Sequence, residues 1–409
     1  MLELAPILKS LWRKPTGPLL LIIQLALSIA IISNAFAFIA QRHAYVSEDP
    51  GFRVEGLLKF SVQQPPEKGN LDETISRDMA YLQSLNSVKS ATAITGVPLS
   101  SMGGTSGIST EPQQEGITST TAVSTAASIM RITDQGIPTL GARIIQGRDF
   151  NPEEYLRFDR TTPPDSGSVI ITQALAKTLF PDDHNVLGKI IYEAGNSTFT
   201  VVGVIDDMFG HFLKWDFPRH VVIFPQIALS ESVQYLVRVD ARDQKNTMAD
   251  ILSGLRSLNK NRMLDEGNTM EDIVYSAYSG DHAMIKLLSV VLIMLVGVNA
   301  FGVLSLTSFW VSQRRKHIGI RRALGATRLA IMRYFIIENI ILVVCASSLG
   351  AVAAISTSVY MVKAYSFSPL PWAYIPISGL VVLLITLSAA IVPVRKASYI
   401  SPVEAVAGK

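Results

Sequence analysis

Residues 310–338, WVSQRRKHIGIRRALGATRLAIMRYFIIE, decide how the rest of the chain is read. They lie between two long uncharged runs, Leu287 to Val311 and Asn339 to Val362, and carry Arg314, Arg315, Lys316, Arg321, Arg322, Arg328 and Arg333. A short Lys- and Arg-rich loop between two membrane spans faces the cytoplasm. Ile318, Ile320, Ala323 and Leu324 are interleaved with the arginines at roughly helical spacing, so the loop reads as a short amphipathic helix. Gly325 is suited to the left-handed turn that ends such a helix, and Thr327 to capping the next one. A helix of this kind, lying across the inner mouth of a bundle, is placed to bind another protein and to move the spans. Glu338 falls one to two turns inside the following span and needs a cationic partner there. The expected structural ion pair is Glu338 with Arg333, with an arginine of the loop as the alternative.

Outward from this stretch, the apolar residues are concentrated. They make up 48% of the 409 residues, too little for a chain that is membrane throughout. Four runs lack Asp, Glu, Lys and Arg for longer than the ~20 residues of a bilayer crossing: Pro18 to Ala40, Leu287 to Val311, Asn339 to Val362 and Ser366 to Val394. The segment 41–283 holds 21 Lys plus Arg against 30 Asp plus Glu, a net of −9, although the whole chain is +3. Basic residues sit instead at the membrane flanks, at Lys9, Arg13 and Lys14, in the loop, and at Arg395 and Lys396. Both termini are therefore expected in the cytoplasm and the 41–283 domain outside. These flanks report topology and contact with membrane lipid; no aromatic-interleaved groove accompanies them, and no nucleic-acid partner is expected. The single cysteine, Cys345, lies in the third span and excludes an internal disulfide.

Residues 1–17 place Leu4, Ile7, Leu8, Leu11 and Trp12 on one helical face, the pattern of a helix in the membrane interface. Ala35-Phe36-Ala37 mimics a cleavage site, but the apolar run is longer than a signal core, and the segment is expected to be retained. Beyond it, Gly56 to Gln63, Leu71 to Leu85 and Ser87 to Thr95 make a β-α-β start, and Gly96 to Thr121 reads as a mobile loop. Val169 to Ile171 is a strand and Thr172 to Leu179 a helix; Lys189 to Glu193 and Phe199 to Ile205 form a hairpin around Gly195-Asn196. Strands return at Val221 to Phe224 and Tyr235 to Val239, and a helix at Asn246 to Leu258. No proline occurs between Pro225 and Pro369, so a helix from about Met270 is expected to run unbroken into the second span. Ser401, Pro402 and Glu404 form a capping box for a final short helix.

Catalytic and ligand motifs are few. G-x-x-x-x-G-K-[ST] does not occur, so nucleotide hydrolysis is expected in another polypeptide. Asp206, Asp207, His211, Asp216 and His220 fall close together, but no HxxxH or cysteine pair fixes them, and Phe209, Phe212, Trp215 and Phe217 speak for a packed loop rather than a metal site. No G-x-S-x-G marks a nucleophile. The chain reads as a non-catalytic membrane subunit that binds no cofactor directly. Gly297, Gly302 and Gly350 offer close helix approach, within the chain or between chains.

QRRKHIGIRRALGATRLAIMRYFIIE resembles the loop of the MacB/FtsX-like permeases, the transmembrane subunits of the type VII ABC transporter class. LGARIIQGRDF, ALAKTLFP, LGKII and FTVVGVIDD resemble, in order and spacing, the extracytoplasmic domain of MacB-type permeases, and the tail from Pro393 resembles the family's ending. The resemblance implies docking of a separate ABC ATPase, with ATP and Mg held there, on Arg314, Arg315, Lys316, Ile318, Gly319, Arg321, Arg322, Leu324 and Gly325. It also implies a second permease, identical or related, and a possible periplasmic adaptor and outer-membrane channel.

The expected fold is membrane α-helical, with four transmembrane helices and an extracytoplasmic α+β domain on a helical stalk. The expected boundaries are 1–17 for the interface helix, 18–40 for the first span, 41–283 for the periplasmic domain, and 284–311 for the second span. The coupling loop follows at 312–333, the third span at 334–362, an outer turn at 363–370, the fourth span at 371–394 and a tail at 395–409. Within the domain, 41–96 and 220–283 are expected to be porter-like and 97–219 an inserted part. The expected function is that of a bacterial inner-membrane permease that passes ATP-driven motion to its periplasmic domain for export. The alternative is a scaffold that regulates a cell-wall hydrolase or handles lipoproteins.

Overall fold

The computed structural model describes residues 12, 15–64, 71–112, 123–194, 196–365 and 368–399. Most of the expected interface helix, the capping box at Ser401 to Glu404, and Gly195 of the expected turn lie outside the described residues. The chain forms two compact units, one of Met1–Ser47 with Asp281–Lys409 and one of Glu48–Gly280.

After a first long helix, α1 (Thr16–Val46), the second unit begins with β1 (Leu57–Gln63), α2 (Leu71–Ser84) and β2 (Val88–Thr95). β3 (Gly104–Ser109) and β4 (Ser124–Ile132) pair antiparallel, followed by α3 (Gly136–Leu140), β5 (Ile144–Gly147) and β6 (Leu156–Asp159). Next come β7 (Ser166–Thr172), α4 (Gln173–Leu179), β8 (Ile190–Glu193) and β9 (Ser197–Ile205). The unit closes with β10 (Val221–Phe224), β11 (Gln226–Leu229), β12 (Ser232–Val239), α5 (Gln244–Leu258), β13 (Met263–Leu264), β14 (Asn268–Thr269) and α6 (Met270–Ala277).

The pairing order β13-β1-β12-β2 is wholly antiparallel. Leu58, Phe60 and Val62, alternating along β1, share a core with Ile75, Met79 and Leu82 of α2 and Ile251 and Leu255 of α5, so both helices cover one face. This is the split β-α-β arrangement. Inside it, Asp78 of α2 accepts both oxygens' bonds from Arg262, at 2.8 and 2.7 Å, and one from Tyr235 at 3.0 Å. β4 leads into a second layer: β4, β3, β8, β9, β7 and β10 pair in a ring, closed because β10 pairs with β4 as well as β7.

The structure differs from the sequence reading in three places. The stretch expected to be a loop contains β3, because its Gly, Ser and Thr lack the bulk that marks a strand, while their backbone pairs in register with β4. β10, expected with the porter-like part, closes the ring instead. The rod expected from Met270 is interrupted: Tyr278, its ring buried, ends α6, and a new helix starts at Ser279. The break involves no proline: the Tyr278 amide still donates to the Val274 carbonyl at 3.2 Å, and α6 closes there.

The first unit continues with α7 (Ser279–Gln313), α8 (Arg315–Ala323), α9 (Arg328–Tyr365) and α10 (Tyr374–Ser398). Among the described residues, α1, α7, α9 and α10 are the four helices long and apolar enough to cross a membrane. Leu21, Leu25, Ile29 and Ile32 run along one side of α1 and share a core with Leu342, Val343 and Ala346 of α9 and with Val382 and Ala390 of α10. Gly350 lets α9 approach α1 closely: a Cβ there would stand 2.9 Å from the Ala26 carbonyl oxygen. Gly302 likewise faces Gln24, whereas nothing lies within 4 Å of a Cβ on Gly297.

Candidate coupling site

The elbow between α7 and α9 is built as its residue types dictate. α8 ends where Gly325 takes φ +91, and the Ala326 amide donates to the Arg321 carbonyl at 3.0 Å, the long bond of a Schellman turn. The Thr327 hydroxyl then accepts from the Ala330 amide at 3.2 Å and caps α9. The next bend is avoided at the other end, where the Ile318 amide donates to the Arg314 carbonyl at 3.0 Å and bridges the joint between α7 and α8.

α8 has two faces. Ile318 and Gly319 are buried, and Ile318 joins the core of the membrane unit with Val311, Ile331 and Phe335. Arg315, Ile320, Arg321, Ala323 and Leu324 are exposed, Leu324 at 83%. The Arg321 guanidinium lies over the Tyr334 ring at 5.0 Å, and that of Arg328 over Tyr399 at 4.2 Å, so the corner is tied to α9 and to the end of α10. The side chains of Lys316 and Arg322 lie outside the described residues.

Glu338 is paired with Arg314, not with Arg333. Its carboxylate is 1% exposed and accepts from Arg314 Nη1 at 2.9 and 3.0 Å. The correction has a geometric cause. Arg333 stands five residues before Glu338 on the same helix, which at ~100° per residue turns it to the far side, and it is exposed. Arg314 and Glu338 are instead equally far along the chain from Ala326 at the corner, a symmetry through which the sequence offered the pairing.

Four of the five residues weighed as a metal cluster have separate duties, and the fifth, Asp216, is exposed. Asp206 pairs with Arg143, and Asp207 accepts from the Ala174 amide at 2.6 Å. His211 Nε2 is 3.0 Å from the Ile129 carbonyl, its ring pressed between Gly96 and Gly103. His220 sits between the hydroxyls of Thr125 and Thr178 and stacks on Phe217. Burial lowers the pKa of both imidazoles. Among the described residues no group of three or more His, Cys, Asp or Glu is arranged to hold a metal ion.

Two family models match the chain, the MacB-like periplasmic core domain over residues 19–254 and the FtsX-like permease C-terminal over residues 288–402. The macrolide export ATP-binding/permease protein MacB 1 of Yersinia pestis bv. Antiqua is 25% identical over 233 residues, covering 56% of this chain and 35% of that protein. MacB of Neisseria meningitidis serogroup B is 26% identical over 295 residues, 69% of this chain and 43% of the relative. The uncharacterized ABC transporter permease YknZ of Bacillus subtilis is 24% identical over 290 residues, 69% of this chain and 70% of the relative. The chain thus spans less than half the length of the MacB proteins it matches, 35% of the Yersinia relative and 43% of the Neisseria one. Among solved structures, the extracellular domain of the transporter YknZ from Gram-positive bacteria aligns with 51% of this chain and 99% of its own at 14% identity, with a TM-score of 0.32. With one family model over more than half of its residues and a second over the remaining spans, this chain belongs to the MacB/FtsX-like ABC transporter permeases, membrane proteins with an extracellular domain.

Proposed function

We propose that α8 is the docking helix for an ATPase on the cytoplasmic side, and that the permease turns ATP-driven movement of that ATPase into movement of its extracellular domain, for export. The observation that carries this reading is the double-faced α8, with Ile318 buried in the membrane unit while Ile320, Arg321 and Leu324 are exposed together. An apolar edge set among guanidinium groups suits a protein contact, where Arg is enriched and desolvated anchors dominate the affinity. Arg314, at the root of α8, is bonded to the third span, so a pull on the helix reaches the bundle without passing through a flexible loop.

On this reading both termini are cytoplasmic, ATP and Mg are held by a separate ATPase, and two permeases stand side by side so that a pair of ATPases grips two docking helices. G-x-x-x-x-G-K-[ST] is absent from these 409 residues, in keeping with an ATP site elsewhere. The names of the Yersinia and Neisseria relatives, which join ATP binding to macrolide export, support ATP-coupled export as the class of work.

The test is capture of the tagged full chain from native membranes, with ATPase activity measured in the captured fraction. The wild type is expected to bring ATPase activity with it. The Arg321→Ala, Arg322→Ala, Leu324→Ala variant is expected to lose at least about tenfold, since each docking anchor is worth ~1–2 kcal/mol and ~1.4 kcal/mol is a factor of ten. Equal capture by both, or ATPase activity with neither, sinks the proposal, as does thiol labelling that finds the elbow outside the cell.

A further inference from the structure

α7 is attached to its neighbours in an unusual way. It is 35 residues long, yet its buried residues are only Asp281, Leu292, Asn299, Val303, Thr307 and Val311, a single narrow seam. α1, at 31 residues, buries ten. Along that seam, polar contacts occur at three depths. At the outer end, Arg42 of α1 donates to Asp281 at 2.9 Å. In the middle, Asn299 Oδ1 lies 2.8 Å from the Ser28 hydroxyl and 3.4 Å from Gln24 Nε2. At the inner end, Arg314 holds Glu338.

Lipid solvates an apolar helix surface about as well as another helix does, so the few aliphatic contacts of the seam favour one axial position only weakly, whereas polar partners do so sharply. We infer that α7 is held in a single register by these three polar pins, and that breaking them in succession from the inner end lets it slide along α1 and α9. On α7 itself the sequence leaves no polar residue four positions from Asn299 or Asp281. Leu295 and Val303 stand four residues either side of Asn299, and Ala277 and Ile285 either side of Asp281. A shift of one turn, ~5.4 Å, brings apolar residues of α7 opposite Arg42 and Ser28, so the shifted helix has fewer polar contacts and the unshifted register is the preferred one. The inner pin goes first because Arg314 directly precedes α8, and any displacement of α8 acts on it.

The trigger rests on the proposed docking of an ATPase on α8, but the pins themselves can be tested without one. Because Cys345 is the only cysteine, Cys345→Ser gives a clean background. Nitroxide labels at the exposed positions Leu27 on α1 and Met294 on α7 report the register in the full chain in lipid nanodiscs by electron paramagnetic resonance. Arg314→Met alone, or Asn299→Leu alone, is expected to broaden the distance distribution, and the two together to move its centre by up to one turn, ~5 Å. Exchanging the inner charges, Arg314→Glu with Glu338→Arg, is expected to restore the narrow wild-type distribution. Asn299→Leu adds only apolar surface, so it keeps the test open should the Arg314 variant fold poorly. A wild-type distance in the double variant overturns the inference. So does broadening that the exchanged pair leaves uncorrected. Failure to capture an ATPase would sink the docking proposal and leave this distance result as it stands.

Discussion

Replacing Arg314 with Met keeps a long side chain and removes the charge. It strands the Glu338 carboxylate, which is 1% exposed and whose described partner is Arg314. Breaking a buried ion pair by removing one member costs about 3–5 kcal/mol. Two features of the site limit the loss. The Arg314 side chain is 25% exposed, so its charge is partly screened. The stranded acid also has an escape by taking up a proton. The expected loss is therefore about 2–4 kcal/mol. Adding Glu338→Leu removes the stranded group, and the double variant is expected within about 1 kcal/mol of the wild type, because an apolar pair of similar volume often replaces a buried ion pair without loss. The assay is reversible unfolding of the full chain in mixed micelles by graded addition of denaturing detergent at pH 7. An Arg314→Met variant within about 0.5 kcal/mol of wild type, or two single changes whose losses simply add in the double variant, would refute the reasoning, since partners in direct contact do not add.

The extracellular domain yields two more predictions. Arg262→Met leaves Asp78 buried with Tyr235 as its side-chain hydrogen-bond donor among the described residues, and is expected to destabilise the domain by about 3–5 kcal/mol in urea unfolding followed by near-ultraviolet circular dichroism; a change below about 1 kcal/mol would contradict the buried pair. Burial lowers the pKa of His211 and His220 in the folded chain, so below about pH 6.5 the unfolded chain binds more protons and stability falls as pH falls, levelling off below the folded pKa values. Unfolding measured from pH 7.5 to 5 is expected to show this slope and a shallower one in the His211→Gln, His220→Gln variant; identical slopes would remove these residues from the pH dependence.

Much of this architecture is legible in local patterns. A span is an uninterrupted apolar run, ended where Arg and Lys stop it, so the four helices able to cross a membrane and the basic elbow needed no tertiary information. Gly325 and Thr327 announced a corner because a left-handed turn and a helix cap are requirements of a few adjacent residues. The alternation of Leu58, Phe60 and Val62, and the helical spacing of α2 and α5, likewise follow from which face each element buries.

The sequence by itself determined which segments cross the membrane, where the elbow falls and which residue types it offers. Only the tertiary structure decided which of those residues meet. Arg333 is near Glu338 along the chain but on the wrong side of the helix, while Arg314, 24 residues away, is brought to it by the fold of the elbow. β3 carried no strand signal because backbone pairing with β4 needs no bulky side chain, and β10 closes the ring through a partner more than 90 residues earlier. Periodicity and charge report what one element needs; the partner that meets the need is set by the packing of elements distant in the chain.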